Sequence, residues 1–391
     1  MTITLIGCGC GSLTCDARAA IESAELVIGS ARLLKEYGDD KPQIEAVTVP
    51  AIRAAIDGAA CEAVCVLYSG DSGFFSGARL LLPELGGHDV RLLPGISSVQ
   101  TFAARLQRPW QDWLLCSAHG VDCDVISAVC RGRPAFFLTG GKQGPDALCR
   151  TLTDAGLGFL KTYVGEDLGT ADEHITEGTA ADFSARGFSP LSVLLIERAP
   201  RAARRAPGIP DSEFLRAEKV PMTKQEVRAA ILAKLAVSPE DVCWDIGTGT
   251  GSTAIELALS CRAVYSVERE EAALAVAARN RERFGAWNLR LVKGEAPAAL
   301  LELPKPDAVF IGGSGGKLGE ILNVIRNANP DARICVSAIT IEGLHNSYTA
   351  LRELGCETEV TQLSVSHSRP AGGLTLMLAQ NPVWIVTGYA K

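Results

Sequence analysis

The chain reads as two α/β domains in series, the first two-lobed and the second a Rossmann-like doubly wound sheet with antiparallel terminal strands. Short β-branched runs alternate with helical stretches along both halves. A glycine loop closes a predicted strand in each half. Gly7-Cys8-Gly9-Cys10-Gly11 follows an apolar run, and Asp245-Ile246-Gly247-Thr248-Gly249-Thr250-Gly251 follows Val242-Cys243-Trp244. Residues 199–207 are small, basic and proline-punctuated, which predicts a linker between domains at 1–198 and 208–391.

In the first half, strands are predicted at Ile3–Ile6, Glu25–Ile28, Ala63–Tyr68, Val90–Leu93, Trp113–Cys116, Ala135–Leu138, Lys161–Val164 and Leu191–Glu197. Helical spacing falls in Asp16–Ala24, Ser76–Leu85, Ser97–Leu106 and Asp146–Ala155. The break at Gln107–Asp112, with Pro109 inside it, predicts two lobes around a cleft.

In the second half, Thr223–Leu235 is predicted as a helix capped by Thr223. Five strands (Val242–Ile246, Ala263–Val267, Leu289–Val292, Ala308–Ile311, Arg333–Ser337) alternate with four helices (Ser252–Leu259, Glu270–Phe284, Lys317–Asn327, Ile341–Leu354). Glu357–Ser366, Leu374–Ala379 and Val383–Thr387 then follow with only turn-like joints. Five parallel strands ending in an antiparallel pair is the layout of class I methyltransferases, not of ordinary dehydrogenases.

Composition narrows the function. At 391 residues, 47% apolar and 21% charged, each half can bury a core. A net charge of −7 argues against a nucleic-acid partner. No long apolar run or leader-like N-terminus appears, so a cytoplasmic protein without membrane partners is expected. The 13 cysteines are scattered in apolar stretches and read as reduced thiols. Cys8, Cys10 and Cys15 cluster, but no histidine or second cysteine pair completes a zinc set, so no metal is expected.

The chemistry concentrates in the two loops. In the second, amides at a helix start suit an anion or carboxylate. Glu268, ending the next strand, suits a ribose diol. A dinucleotide site would share both features. Asp245 at the head of the loop repels a pyrophosphate and tolerates an ammonium, which favours S-adenosylmethionine over NAD. Gly294-Glu295-Ala296 after the third strand lies where an adenine would sit, and Phe310–Gly316 faces the substrate with glycines instead of an Asn-Pro-Pro-aromatic grip. An NAD-linked oxidoreductase and a non-catalytic S-adenosylmethionine-binding protein remain alternatives. In the first half, Asp71 stands in a glycine-rich turn, as a helix cap or a ligand group. His119 is a lone histidine after a strand, structural or catalytic.

Gly208-Ile209-Pro210-Asp211, Val220-Pro221-Met222-Thr223-Lys224, Asp245–Gly251, Gly294–Pro297, Phe310–Gly316 and Asn381-Pro382-Val383 together resemble the precorrin carbon-15 methyltransferases of the cobalamin pathway. The first half resembles the tetrapyrrole (class III) methyltransferases. It does so through Gly7–Gly11, Leu13-Thr14, Tyr68–Phe75, Leu93–Ser98, Ser117–Gly120 and Val164–Gly169. Fused in this order, the halves resemble the bifunctional, decarboxylating C5,15-methyltransferases of that pathway. Two departures stand out: Cys10 and Ser12 replace the family's Pro and Asp, and Val121 replaces a basic residue.

The resemblance implies one S-adenosylmethionine per domain, a precorrin substrate and a homo-oligomer. In the first domain it implies cofactor contacts from the Gly7 and Gly9 loop, Gly70, Asp71, Ser97, Ser98, Thr139 and Gly140. In the second it implies Asp245, Gly247, Thr248, Gly249, Glu268, Glu295 and Ala296. The bridging carbons of a reduced tetrapyrrole are enamine-like and attack a sulfonium methyl directly. Alignment and water exclusion are then the main tasks. Decarboxylation of an acetate arm uses the macrocycle's own imine as electron sink. Lys224, Arg228 and Arg369 are candidate cations for substrate carboxylates, and His367 is a candidate proton donor.

Overall fold

The computed structural model describes residues 1–9, 11–38, 40–200 and 206–390. Cys10 and the expected linker's residues 201–205 therefore lie outside the described residues. The chain forms two compact units, Met1–Val129 with Arg133–Arg198, and Cys130–Gly132 with Ala199–Lys391.

In the first unit, β1 (Thr2–Cys8), β2 (Leu26–Gly29), β3 (Gln43–Glu45), β4 (Ala63–Ser69) and β5 (Asp89–Leu93) form a parallel sheet in the order β3-β2-β4-β1-β5. Alternate residues of the strands feed two cores. Ile3, Leu5, Val64 and Val66 pack on one face, and Ile6, Cys8, Cys65 and Leu67 on the other. A second sheet holds β6 (Leu114–Ser117), β7 (Ala135–Leu138), β8 (Lys161–Glu166), β9 (His174–Thr179) and β10 (Ser192–Ile196), ordered β6-β7-β10-β8-β9. Only β6 and β7 pair in parallel; the other neighbours are antiparallel. The chain crosses between the two lobes at the predicted break, where Gln107 takes φ 53°.

The second unit carries β11 (Val242–Ile246), β12 (Ala263–Glu268), β13 (Leu289–Lys293), β14 (Ala308–Ile311), β15 (Arg333–Ala338), β16 (Glu357–Leu363) and β19 (Val383–Tyr389). Their order is β13-β12-β11-β14-β15-β19-β16, with β19 antiparallel to both neighbours. Cys243, Ala308 and Phe310 face one core, and Trp244, Val309 and Ile311 face the other, so the sheet is covered on both sides. Between β16 and β19 the chain makes a separate hairpin of β17 (Ser366–Ala371) and β18 (Leu374–Ala379).

Three strands depart from the sequence expectation. β3 is a fully exposed three-residue edge, β9 is an edge without strong apolar alternation, and β17 contains Pro370. The helix expected from Thr223 begins at Gln225, and Lys224 occupies the N-cap position without a side-chain bond. The Thr223 carbonyl instead accepts from Arg228. Among the described residues no helix is long and apolar enough to cross a membrane.

Candidate active sites in the two domains

A cavity of about 480 Å³ opens between the lobes of the first unit. Gly70, Asp71, Ser97 and Ser98 wall it from the first lobe, and His119 and Thr139 from the second. Position follows from topology: in parallel sheets, loops at the carboxyl ends of the strands meet at a common crevice. Gly70, at φ 75°, donates to the Cys8 carbonyl (2.9 Å), tying β4 to the first glycine loop. Asp71 accepts from the amides of Gly73 (2.9 Å) and Gly95 (3.1 Å), so its carboxylate fastens two loops together. Ser97 caps the helix Ser98–Arg105 in a capping box with Gln100. Thr139 donates to the Ser192 carbonyl at 2.7 Å, and the His119 ring meets the Thr139 carbonyl at 3.3 Å.

Gly7, Gly9 and Gly140 do not themselves wall the cavity, and each stands where another part of the chain comes close. A Cβ on Gly7 would fall 2.6 Å from the Gly95 nitrogen, and one on Gly9 would fall 1.7 Å from the Ile96 carbonyl oxygen. These glycines let the Gly95–Ser97 turn lie against β1. Gly140 leaves room for the His119 ring, 2.2 Å from where its Cβ would stand. Cys8 does line the cavity, but burial pushes its thiol up to about 12, so it stays protonated and inert. No disulfide joins the twelve described cysteines, and no group of described residues could hold a metal ion.

In the second unit, Asp245 is buried beside the glycine loop. One carboxylate oxygen accepts from Thr248 and from Ser266 (2.9 Å), while Oδ1 has no partner. Burial pushes its pKa up to about 6. A buried carboxylate oxygen with no donor fits a cationic ligand group, so the donor set suits the ammonium end of S-adenosylmethionine. Glu268 accepts from the Gly249 amide (3.1 Å) and from the amides of Arg269 and Glu270. It joins the loop to the end of β12.

Gly247 and Gly249 take φ 80° and 53° and are held by backbone on their far side. A Cβ would meet the Gly313 nitrogen at 2.8 Å and the Pro221 carbonyl oxygen at 2.4 Å, respectively. Glu295 is exposed and pairs with Lys317 at 3.0 Å, whose hydrogen bond and charge hold its pKa below the usual carboxylate range. Ala296 is buried against Val267 and Ile311.

Arg228 is not available to substrate. Its side chain is 0% exposed, ion-paired to Asp211 (2.8 Å) and to the buried Glu256 (2.7 Å), and it lies 4.7 Å over the Phe214 ring. It also donates to the carbonyls of Ile209 and Thr223. Glu256 in turn accepts the amides of Gly208 (2.7 Å) and Ile209 (3.0 Å). Asn280 holds the same segment by its side-chain bonds to Leu215, and donates to the Thr250 carbonyl at 2.9 Å. Residues 208–224 are thus a strap. They run from the domain start to the glycine loop, where the Pro221 carbonyl accepts from Thr250 (3.2 Å).

Lys224 is half-exposed and 3.8 Å from Asp211. His367 lies on the β17 hairpin with Nε2 3.5 Å from Glu226, and Arg369 stands exposed two residues further on. Lys224 and Arg228 lie four residues apart, a spacing that places them on one helical face. The carboxylate that buries Arg228 is supplied from a distant helix, which no local pattern reveals.

A two-lobed domain with an interlobe cavity, followed by a 3-2-1-4-5-7-6 sheet with an acidic glycine loop, defines an S-adenosylmethionine-dependent methyltransferase of fused type. Residues 2–184 match the Tetrapyrrole (Corrin/Porphyrin) Methylases, and residues 215–388 the Precorrin methyltransferase domain. A precorrin-6Y C(5,15)-methyltransferase (decarboxylating) from a Sinorhizobium species is 35% identical over 80% of this chain and 76% of its own. A probable cobalt-precorrin-6B C(15)-methyltransferase (decarboxylating) of Pyrobaculum calidifontis is 45% identical over 47% of this chain and 96% of its own. The crystal structure of precorrin-6Y C5,15-methyltransferase from Geobacter metallireducens covers 48% of this chain and 100% of its own at 36% identity, with a TM-score of 0.46. The chain belongs to the precorrin-6Y C(5,15)-methyltransferase (decarboxylating) family, S-adenosylmethionine-dependent enzymes of cobalamin biosynthesis.

Proposed function

We propose that this chain methylates carbons 5 and 15 of precorrin-6Y and decarboxylates its ring-C acetate, giving precorrin-8. The observation that carries this reading is the likeness to the Sinorhizobium enzyme across 80% of the chain. Carbon 5 is assigned to the first domain, carbon 15 and the decarboxylation to the second, each with its own S-adenosylmethionine and with the domains divided at 199–207. Bound cofactor supplies an electrophilic methyl on a sulfonium. The ring carbon would form the new C–C bond with that methyl, the electron pair of the C–S bond remaining on sulfur. In the decarboxylation, the electron pair of the broken C–C bond enters the conjugated imine, carbon dioxide leaves, and a proton is added to carbon.

The protein's share is positioning. Gly70, Asp71, Ser97, Ser98 and Thr139 shape the first cofactor site. In the second, Asp245 faces the methionine ammonium, the Gly247–Gly249 loop with Thr248 holds its carboxylate end, Glu268 takes the ribose, and Glu295 and Ala296 border the adenine. Lys224 and Arg369 are assigned to substrate carboxylates, and His367 to proton delivery. His119 orients the cavity wall through Thr139. Incubation with labelled S-adenosylmethionine and reduced precorrin-6Y is expected to add two methyl groups and remove one carboxyl. A product of unchanged mass, with saturable NADH binding, would overturn the assignment.

A homo-oligomer belongs to the same proposal, supported by the β17–β18 hairpin. Every residue of both strands is exposed, and β18 carries exposed apolar side chains, Leu374 (72%) and Met377 (65%) among them, of the kind that partners cover. Monomeric sedimentation at micromolar concentration would argue against it.

Asp245 makes cofactor binding pH-dependent. Its folded pKa of about 6 lies above the ordinary 3.8. Between those values the fold holds a proton that the unfolded chain has lost, so Asp245's contribution to stability falls as pH rises from about 4 to 6. An ammonium ligand stabilises the ionised form and lowers that pKa. Binding to the second domain therefore releases a proton below about pH 6 and weakens as pH falls, by up to about tenfold per unit. Calorimetry between pH 8 and 5 is expected to show this slope for one class of sites. Asp245→Asn is expected to lower affinity at pH 8 and flatten the slope.

A further inference from the structure

The first domain's cavity has more wall than the residues assigned to the cofactor supply. Gly70, Asp71, Ser97 and Ser98 follow β4 and β5. Across the sheet, beyond β4, the wall is made by Ser30, Arg32 and Glu36 around the helix Ala31–Tyr37, and by Val47 after β3. With strands about 4.8 Å apart, β3 and β5 stand about 19 Å from each other across the sheet, room for a second large ligand group beside a folded nucleoside.

The charges along this wall are unevenly placed. Among the described residues lining the cavity, Arg32 is the only lysine or arginine, whereas Glu36, Asp71 and Asp167 all line it. Asp71 is committed to two backbone amides, and Asp167 accepts from Ser189 at 2.9 Å. Arg32 Nη2 donates to Ser69 Oγ at 3.0 Å, and Nη1 lies 3.7 Å from Glu36, a loose pair between side chains 44% and 40% exposed. That leaves guanidinium donors for a planar, two-oxygen acceptor. Phe75 (53% exposed) and Val47 (67%), lining the same cavity, offer bare apolar surface. A cation beside exposed apolar side chains matches a molecule with a flat hydrophobic ring and a carboxylate rim.

We propose that Arg32 is the carboxylate anchor of the tetrapyrrole in the first domain, gripping an acetate or propionate arm while the macrocycle lies over Phe75 and Val47. This rests on the reading that the first domain methylates such a ring. Arg32 touches the substrate's periphery and takes no part in methyl transfer.

The test measures carbon-5 methylation by the full chain carrying Arg32→Ala, Arg32→Lys or no change, with S-adenosylhomocysteine affinity measured separately. Arg32→Ala is expected to raise KM for the tetrapyrrole about tenfold to a hundredfold, leaving kcat and S-adenosylhomocysteine affinity within about twofold. Arg32→Lys should recover part of the loss, since it restores the charge without the fork. An unchanged KM overturns the proposal. So does a loss of S-adenosylhomocysteine affinity as large as the rise in KM, which would move Arg32 to the cofactor end. If the unaltered chain fails to methylate carbon 5, the underlying assignment falls instead.

Discussion

Arg228→Ala is expected to cost the second domain about 3–5 kcal/mol and to abolish carbon-15 methylation while leaving carbon-5 methylation in place. Removing the guanidinium leaves the Glu256 carboxylate, 2% exposed, without its counter-charge, and breaking a buried pair on one side costs this much. The loss spreads along the strap, because Arg228 also holds Asp211 and the carbonyls of Ile209 and Thr223. With the strap loosened, the Pro221 carbonyl no longer fixes the amide of Thr250 in the glycine loop. Arg228→Met with Glu256→Met should recover only part of the stability. The paired charges vanish together, but the amides of Gly208 and Ile209 lose their acceptor. Thermal unfolding followed with both methylation assays checks this. Unaltered melting of the second domain in Arg228→Ala would refute the assignment of Arg228 to the fold.

Gly9→Ala is expected to reverse the pattern, removing carbon-5 methylation by roughly a hundredfold or more and sparing carbon 15. The new Cβ would stand 1.7 Å from the Ile96 carbonyl oxygen and 2.5 Å from its carbon, so backbone must move. The segment that must yield carries Gly95, pinned by Asp71, and Ser97, which caps the helix Ser98–Arg105. Ser97 and the Asp71 that pins Gly95 belong to the proposed cofactor wall, and a displacement of about 1 Å there is enough to spoil alignment. Paired kinetics at the two carbons, with circular dichroism to monitor folding, measure it. Full carbon-5 activity in Gly9→Ala would show that this turn tolerates displacement.

The sheets were legible where burial imposes a pattern. In the second domain Val242–Ile246 and Ala308–Ile311 are buried on both faces, and their apolar runs, broken only by Asp245, announce central parallel strands. The edges were not: Gln43–Glu45 is exposed throughout, and no apolar face marks it as strand. The helix Val49–Asp57 did carry a signal, Thr48 at its cap and Pro50 in its first turn, which could have found it. The expected tail merged β16 with the start of the hairpin because Ser364-Val365 is not a strong turn signal.

The sites divide in the same way. The glycine loops could be found because positive φ and close backbone approach leave a compositional trace. What the glycines avoid was hidden: Gly9 makes room for Ile96 and Gly249 for Pro221, contacts between segments far apart in sequence. Arg228 and Arg32 show the same limit from opposite sides. Spacing on a helix tells which residues share a face, but not whether a partner covers it. Arg228 met Glu256 from the helix Ser252–Ala258, whereas Arg32 was left at the cavity wall.

Severing the polypeptide would expose where the second catalytic module truly begins. The family match starts at residue 215, yet Gly208 and Ile209 are bonded to Glu256, and Asp211 to Arg228. A fragment opening at Leu215 would inherit a buried carboxylate stripped of two amide donors and an arginine short of two acceptors. One opening at Pro207 would keep the whole latch, and with it the module's autonomy.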